Sequence, residues 1–345
     1  MIFFIITLGI FLIIFFKLLN LKSKRPNTLN KRFYDHVPNN PNRTIGDTAQ
    51  EVIRRERLFA GIKKTISYIF LTLIAFCMVV PFYWMIVTSL KGPVEIDLIS
   101  ATLYPGAGKY DLYISNYPEA ITQLNAGRLI FNTILVGVIS TIGTVVTTVM
   151  AAFAFSRIKF FGRESIFALF LATMMIPGEM MVITNYITVT KTVKDIFGDG
   201  ASGIDSYWAM IVPFLISVYY IYLLRQNFKQ IPNELYYAAK VDGTSDLKYL
   251  LRVMIPIALP TIITITILKL MGSWNAYVWP MMITRDKDMR LITTGLRTAF
   301  SNEEGRTSQG LQMAATTVVT VPLLFVFIFL RKYIMRGVSR SGIKG

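Results

Sequence analysis

Long apolar runs recur along the chain and restrict the structures that it can adopt. The runs lie at residues 2–19 and at about 65–90, 129–155, 165–190, 206–228, 253–282 and 310–331. A helix of about 20 residues spans a hydrocarbon core of about 30 Å. Because backbone polar groups in lipid must be paired within the span, each run is predicted to be helical. The predicted fold class is an all-α polytopic membrane protein, in which an additional N-terminal helix precedes six further spans.

The charged residues are few and unevenly distributed. Only 16% of the 345 residues are charged, the formal net charge is +16 and the mean hydropathy is +0.51. Basic residues concentrate between or beside the apolar runs, at residues 22–64, 157–163, 225–252 and 331–344. This alternation follows the positive-inside rule and predicts an N-terminus outside and a C-terminus in the cytoplasm. The expected partner of these charges is the lipid bilayer, and nucleic-acid binding is not predicted.

The chain is predicted to have three parts. Residues 1–20 form the first transmembrane helix, residues 21–62 a basic cytoplasmic linker, and residues 63–345 a domain of six transmembrane helices. The linker is rich in Asn, Pro and Arg. No basic residue precedes the first run and no small-x-small cleavage site follows it, so a cleaved signal peptide is not predicted.

The sequence offers no constellation for catalysis or metal binding. Cys77 and His36 are the only residues of their types, which excludes an intrachain disulfide and a His-rich metal site. No P-loop, HExxH, GxSxG or CxxC motif occurs. The glycines of GDGASG (residues 198–203) match GxGxxG, but they lie in a short loop between spans and predict a flexible turn. A membrane-embedded enzyme would need clustered carboxylates or histidines, which are not visible.

The segment 231–256 carries charges between two apolar runs and is predicted to form two short helices joined at Gly243. Pro232 suits the first helical turn, and Leu235, Ala238 and Ala239 recur at i, i+3 and i+4 on one face of that helix. The second helix is expected to present Leu247, Leu250, Leu251 and Met254 on one face. Two interpretations stay open: an amphipathic loop that packs against lipid headgroups, or a docking element for another protein.

Two ionisable residues lie within apolar runs. Glu179 follows Pro177-Gly178 in the run 165–190, and Lys269 lies near the middle of the run 253–282. A charge at the bilayer centre costs roughly 2.5–3.5 kcal/mol on insertion scales, so each is expected to face a cavity or a partner. Either both residues line a translocation path, as a candidate ion pair, or each is satisfied by interhelical water or by backbone. Pro177-Gly178 also predicts a broken helix.

Several motifs resemble those of a known family. Tyr237-Ala238-Ala239-x-x-x-Gly243, followed by Pro256, resembles the EAA loop of permease subunits from binding-protein-dependent ABC importers. Other stretches resemble the sugar-uptake permeases of the maltose-importer MalG type, namely AFAFSRIKFFGR (152–163), MMIPGE (174–179), LLRQNFKQIPNEL (223–235), GSWNAYVWP (272–280) and RGVSRSGIKG (336–345). The resemblance runs from about residue 65 to the C-terminus. It departs from the family at Tyr237, where a glutamate is usual, and in the first span, which the six-helix core does not require.

The resemblance implies a permease subunit that is not itself an enzyme. The segment 231–256 would be the coupling loop that docks on a cytoplasmic ATPase. Its candidate coupling residues are Tyr237, Ala238, Ala239, Asp242, Gly243 and Pro256. This chain would bind no cofactor, because ATP and Mg would be held by two partner ATPase subunits. The further implied partners are a second homologous permease and an extracytoplasmic solute-binding protein, and the implied location is the bacterial plasma (inner) membrane.

The resemblance also implies a solute, which would be a sugar or an oligosaccharide. Trp274, Asn275 and Trp279, near the outer end of the run 253–282, are candidates for lining the path, because aromatic rings stack on sugar rings. The alternative for them is an interfacial aromatic belt with structural hydrogen bonds. Glycerol phosphate or another polar solute is the alternative cargo. A secondary transporter is the alternative class, although it would more often show inverted repeats, and none is visible.

Overall fold

The computed structural model describes residues 45–98, 102–106, 110–197, 203–300 and 309–339. The predicted first span, residues 2–19, and the linker up to residue 44 lie outside these ranges, as do residues 198–202 of the glycine-rich turn. The chain divides into two compact units, residues 1–79 and 80–345. All regular structure in the described residues is helical.

The α-helices are numbered in chain order. They are α1 (Ile45–Ser89), α2 (Pro93–Ile96), α3 (Asn116–Gln123), α4 (Ala126–Ser156), α5 (Arg163–Thr173), α6 (Gly178–Phe197), α7 (Tyr207–Ile211), α8 (Val218–Lys229), α9 (Asn233–Val241), α10 (Asp246–Tyr249), α11 (Ile255–Trp274), α12 (Val278–Ile283), α13 (Ile292–Ala299) and α14 (Gln309–Ser339). Short 3₁₀ helices occur at Val212–Phe214 and Lys287–Met289, and a π-helical segment, Leu250–Met254, joins α10 to α11.

Among the described residues, four helical segments are long and apolar enough to cross a membrane: Gly61–Ser89, Ala126–Ser156, Asp246–Trp274 and Gln309–Phe329. Each overlaps a predicted run, which confirms the all-α membrane class. The run 253–282 is not one helix, because the helical segment ends at Trp274 and a separate helix, α12, begins at Val278. The predicted run 206–228 is a bent pair, Tyr207–Phe214 and Val218–Lys229, with an angle of 43° between its halves.

The predicted run 165–190 differs from a single span. It is divided between α5 and α6, with a non-helical segment at residues 174–177. The Pro177-Gly178 pair lies at this break, where proline has no N–H to continue a helix. The broken helix predicted from these two residues is therefore confirmed.

Helix α4 lies at the centre of the second unit and packs against both α8 and α11. Small residues on α4 allow this close approach, since Thr144 and Ala152 are fully buried. Towards the end of α4 that leads to Arg157, a hydrophobic cluster joins the three helices to the segment after α8. It contains Val149, Ala152, Phe153, Leu224, Phe228, Ile231, Tyr249, Leu250, Met254, Ala258, Ile262 and Ile265. We call this the coupling-side core.

Candidate functional site

The predicted glycine turn is present and joins α9 to α10. The second helix is not short, however, because α10 continues through the π-helical segment into α11 as one helical segment, Asp246–Trp274. Gly243 has φ +69°, a left-handed conformation that glycine adopts without a Cβ penalty. Its N–H donates to the carbonyl of Lys240 (3.1 Å), and the N–H of Thr244 donates to the carbonyl of Ala239 (2.9 Å). These two bonds form a Schellman motif, which ends α9 and fixes the direction in which the chain leaves it.

Side chains on both helices also close the turn. The Asp246 carboxylate accepts hydrogen bonds from the Tyr236 hydroxyl and the Lys240 ammonium, each at 2.8 Å. The Lys240 ammonium also lies 5.5 Å from the centre of the Tyr236 ring. The hydrogen bond to Asp246 raises the pKa of Lys240 above its ordinary value. The two helices are thus held together as one unit.

One face of α9 rests on the coupling-side core. Tyr236 and Ala239 pack against that cluster, and the Tyr236 ring meets the Tyr249 ring edge-on at 5.2 Å. Tyr249 is itself fully buried and lies 6.4 Å from the Phe153 ring of α4. A displacement of α9 therefore reaches α4 through direct side-chain contacts.

Five large apolar side chains between α9 and the π-helical segment are exposed. They are Leu235, Tyr237, Val241, Leu247 and Leu251, of which Val241 is 88% exposed. We call these five residues the exposed loop face. An exposed apolar surface of this kind usually marks an interaction site for protein or membrane, so both interpretations of the segment stay open.

The other predicted coupling residues surround this face. Ala238 and Asp242 are exposed, whereas Ala239 is half-buried against the core. Pro256 is exposed in the first turn of α11, directly after the π-helical segment. Because proline has no N–H for the carbonyl four residues earlier, the wider turn at Leu250–Met254 is consistent with its position.

Arg157, immediately after α4, anchors the start of the loop, and sequence reasoning missed this role. Its side chain is buried, and its guanidinium donates to the carbonyls of Phe228 (2.9 Å) and Ile231 and to the side-chain oxygen of Asn233. A cation suits this place because the carbonyls at a helix C-terminus carry a partial negative charge. Arg157 therefore joins the ends of α4 and α8 to the first residue of α9.

A second buried arginine fastens α8 to α5. The Arg225 guanidinium donates to the Phe155 carbonyl (3.0 Å) and the Glu164 carboxylate (2.6 Å), and it stacks 3.8 Å from the centre of the Phe167 ring. The hydrogen bond from Arg225 lowers the pKa of Glu164 below its ordinary value. The distribution of charge predicted only that Arg157 and Arg225 belong to basic segments between spans. The structure shows that both side chains join helices through buried hydrogen bonds.

Lys269 was predicted either to line a translocation path or to be satisfied by water or backbone. The structure shows a contact to backbone. Its ammonium donates to the carbonyl of Phe214 (3.0 Å). Glu179 is the second residue of α6, and its side chain lies outside the described part of the structure. The ion pair between Glu179 and Lys269 therefore stays a prediction.

The three predicted residues near the outer end of α11 have different surroundings. Trp274 is half-buried against a cluster that includes Leu129 and Ala314, and Asn275 is exposed. Trp279 is buried in another cluster, where its indole N–H donates to the carbonyl of Ala209 (3.0 Å). This structural hydrogen bond of Trp279 agrees with the second interpretation, an aromatic belt with structural hydrogen bonds, and not with lining of a path.

Comparison with known proteins gives a family match over residues 143–340, to the family described as binding-protein-dependent transport system inner membrane component. A similar protein is the sn-glycerol-3-phosphate transport system permease protein UgpE of Rhizobium meliloti, 26% identical over 81% of this chain and 97% of its own. The arabinooligosaccharides transport system permease protein AraQ of Bacillus subtilis is 26% identical over 80% and 94%. The diacetylchitobiose uptake system permease protein NgcG of Streptomyces coelicolor is 27% identical over 85% and 92%.

Among solved structures, the fold is similar to that of a chain from a bacterial ABC transporter involved in the import of the acidic polysaccharide alginate. The TM-score is 0.67 at 21% identity, over 81% of this chain and 98% of that one. Another similar chain belongs to a bacterial alginate ABC transporter in complex with an alginate pentasaccharide-bound periplasmic protein. That match has a TM-score of 0.52 at 14% identity, over 83% of this chain and 97% of that one. The shared fold covers most of both chains.

Proposed function

Because the chain belongs to the family of inner membrane components of binding-protein-dependent transport systems, we propose that it is the permease subunit of an ATP-driven importer for a sugar or oligosaccharide. The family is one of transport permeases and not of enzymes, and its members are multi-pass proteins of the inner membrane. Relatives named for arabinooligosaccharides and diacetylchitobiose support an oligosaccharide as the solute. The relative named for sn-glycerol-3-phosphate supports a second candidate.

The observation that carries the coupling role is an exposed apolar surface on a rigidly anchored loop. The five side chains of the exposed loop face are 44–88% exposed, while Tyr236 and Ala239 pack against the coupling-side core. We propose that Tyr237, Ala238, Ala239, Asp242, Gly243 and Pro256 form the docking and coupling element for a cytoplasmic ATPase. The usual glutamate of the family is replaced by Tyr237, which is 52% exposed and would contribute apolar contact area.

The anchoring contacts determine which parts of the protein would move when the ATPases displace this loop. Two helices joined by a Schellman turn and by the Asp246 carboxylate move together, and Arg157 ties their start to the ends of α4 and α8. Closure of two ATPases on ATP and Mg would therefore displace the loop and the coupling-side core as one body. The spans above would tilt relative to those of a second permease subunit.

The remaining assignments follow the same proposal. The three parts of the chain would be the first span (1–20), the linker (21–62) and the permease domain (63–345), with the N-terminus outside and the C-terminus in the cytoplasm. A binding protein outside the membrane would deliver the solute. Glu179, Lys269, Trp274 and Asn275 are proposed to lie along the path, whereas the buried hydrogen bond of Trp279 supports a packing role.

Cross-linking tests the docking proposal directly. In a Cys77→Ser background of the full transporter, Val241→Cys labelled with a thiol-specific benzophenone is expected to form a photo-cross-link to the ATPase. Leu103→Cys is the matched control, because Leu103 is 68% exposed but belongs to the segment between α2 and α3, which is predicted to lie outside. A Val241→Cys protein that cross-links only to lipid, or a Leu103→Cys protein that cross-links to the ATPase, would contradict the proposal.

Binding measurements on the partner binding protein decide between the solutes. We expect calorimetry to show binding of a neutral oligosaccharide, with arabinotriose and diacetylchitobiose as the probes, and uptake of the bound probe by the reconstituted transporter. The competing probe is sn-glycerol-3-phosphate. If only that probe binds and is taken up, the sugar assignment is wrong and the second candidate replaces it.

A further inference from the structure

The bend between α7 and α8 interrupts a candidate membrane span, in which unpaired backbone groups would be costly. The two halves, Tyr207–Phe214 and Val218–Lys229, meet at 43° across residues 215–217. In a continuous helix the carbonyls at this place would accept from amides four residues later. Within lipid, carbonyls freed by a break must find partners elsewhere in the protein.

Side chains from neighbouring helices satisfy these carbonyls. The Phe214 carbonyl accepts from the Thr144 hydroxyl and from the Lys269 ammonium, both at 3.0 Å. The Leu215 carbonyl accepts from the Thr147 hydroxyl at 2.7 Å. Thr144 and Thr147 belong to α4 and Lys269 to α11, so two helices hold the break from two sides.

Local sequence explains why the helix breaks here. Pro213 has no N–H, which leaves the carbonyl of Ala209 without its helical partner, and the Trp279 indole N–H fills that place at 3.0 Å. The absence of a side chain at Gly143 makes room for Leu215 at the break. A Cβ atom at position 143 would lie 2.5 Å from a methyl carbon of Leu215. The bend is thus accommodated by α4.

From these contacts we propose that Lys269, Thr144 and Thr147 are positioning residues that hold this helix bent and make residues 215–217 a hinge of the transport cycle. The proposal rests on the proposed transport function, because α8 leads directly into the anchored loop at Asn233. Straightening the helix returns the Phe214 carbonyl to the amide of Val218 and releases the Lys269 ammonium. Lys269 thereby replaces a backbone amide in one state and is freed in the other.

Spin labels across the bend test this hinge in the complete transporter, in lipid nanodiscs. Trp208→Cys and Gln226→Cys, both exposed, are labelled in a Cys77→Ser background. A straight helix would separate the two backbone positions by about 27 Å. In the bent pair the 43° angle shortens this separation and the extended backbone at Ser217 lengthens it. Trapping with ATP and vanadate is expected to shift the wild-type distance towards the straight-helix value. No change on trapping would overturn the hinge.

The clamp is tested with the same labels and without nucleotide. We expect Lys269→Met to shift the distance towards the straight-helix value or to broaden it, and Lys269→Arg to retain the wild-type distance. Thr147→Val, nearly equal in volume, is expected to broaden it as well, and it decides the test if Lys269→Met fails to assemble. Unchanged distances in the assembled variants would overturn the clamp. The cross-link from Val241→Cys needs no bend, so a failed hinge and a failed docking proposal give different results.

Discussion

Gly243→Pro is expected to abolish transport while leaving the protein inserted in the membrane. Proline fixes φ near −65°, whereas the turn has φ +69°, and it removes the N–H that donates to the Lys240 carbonyl. The Schellman motif cannot form, so α9 and α10 lose their fixed angle and the exposed loop face is divided. We expect the rate of uptake to fall at least about tenfold. If forming the turn with proline costs about 1.4 kcal/mol, the population of the correctly formed loop already falls by a factor of ten.

The matched variant at the same position is Gly243→Ala. No atom lies within 4 Å of the position that its Cβ would take, so the cost is confined to the left-handed backbone, about 1–2 kcal/mol. Uptake and ATP hydrolysis in proteoliposomes should show a partial loss for alanine and a complete loss of uptake for proline, with ATP hydrolysis no longer stimulated by the loaded binding protein. Wild-type uptake in the proline variant would rule out coupling through this turn.

Arg157→Met is expected to have the largest effect on stability. The methionine keeps the apolar stem but leaves the buried carbonyls of Phe228 and Ile231 and the Asn233 side chain without their donor. An unsatisfied buried acceptor costs about 1–3 kcal/mol, so a total of about 3–5 kcal/mol is reasonable for this cluster. Thermal unfolding of the purified protein in detergent measures this loss.

Arg163→Met is the control for Arg157→Met, because Arg163 belongs to the same basic loop but its ion pair with Glu164 is partly exposed (3.0 Å). Exposed pairs contribute about 0–1 kcal/mol, so its unfolding temperature should change little. Arg157→Lys should retain part of the stability. Equal unfolding temperatures for Arg157→Met and Arg163→Met would show that the buried hydrogen bonds do not anchor the loop.

The glycine turn could be predicted from the sequence because its signals are local. Asp242-Gly243 ends one helix, and the next begins three residues later, so neighbouring residues suffice to define the turn. The apolar runs predicted the spans for the same reason, since each span pairs its own backbone. The break near Pro177 was also marked by the residues at the break itself.

The contacts that could not be predicted join residues far apart in the chain. Arg157 meets carbonyls 71 and 74 residues away, and Lys269 meets one 55 residues away. Charge alternation indicated only that Arg157 lies in a basic loop. The bend near Leu215 was missed although Pro213 marked it, because a proline within an apolar run can equally be accommodated in a continuous span.

The exposed position of Tyr237 has a consequence for temperature. In the proposed complex an aromatic ring stands where a carboxylate is usual, and Lys240 and Asp246 neutralise each other within the loop. Tyr237 therefore adds apolar area to a surface that also exposes Glu234, Asp242 and Lys248, and the contribution of buried apolar area weakens on cooling. The affinity of this loop for the ATPase should accordingly decrease at low temperature, whereas an interface formed by charged residues would not weaken in this way.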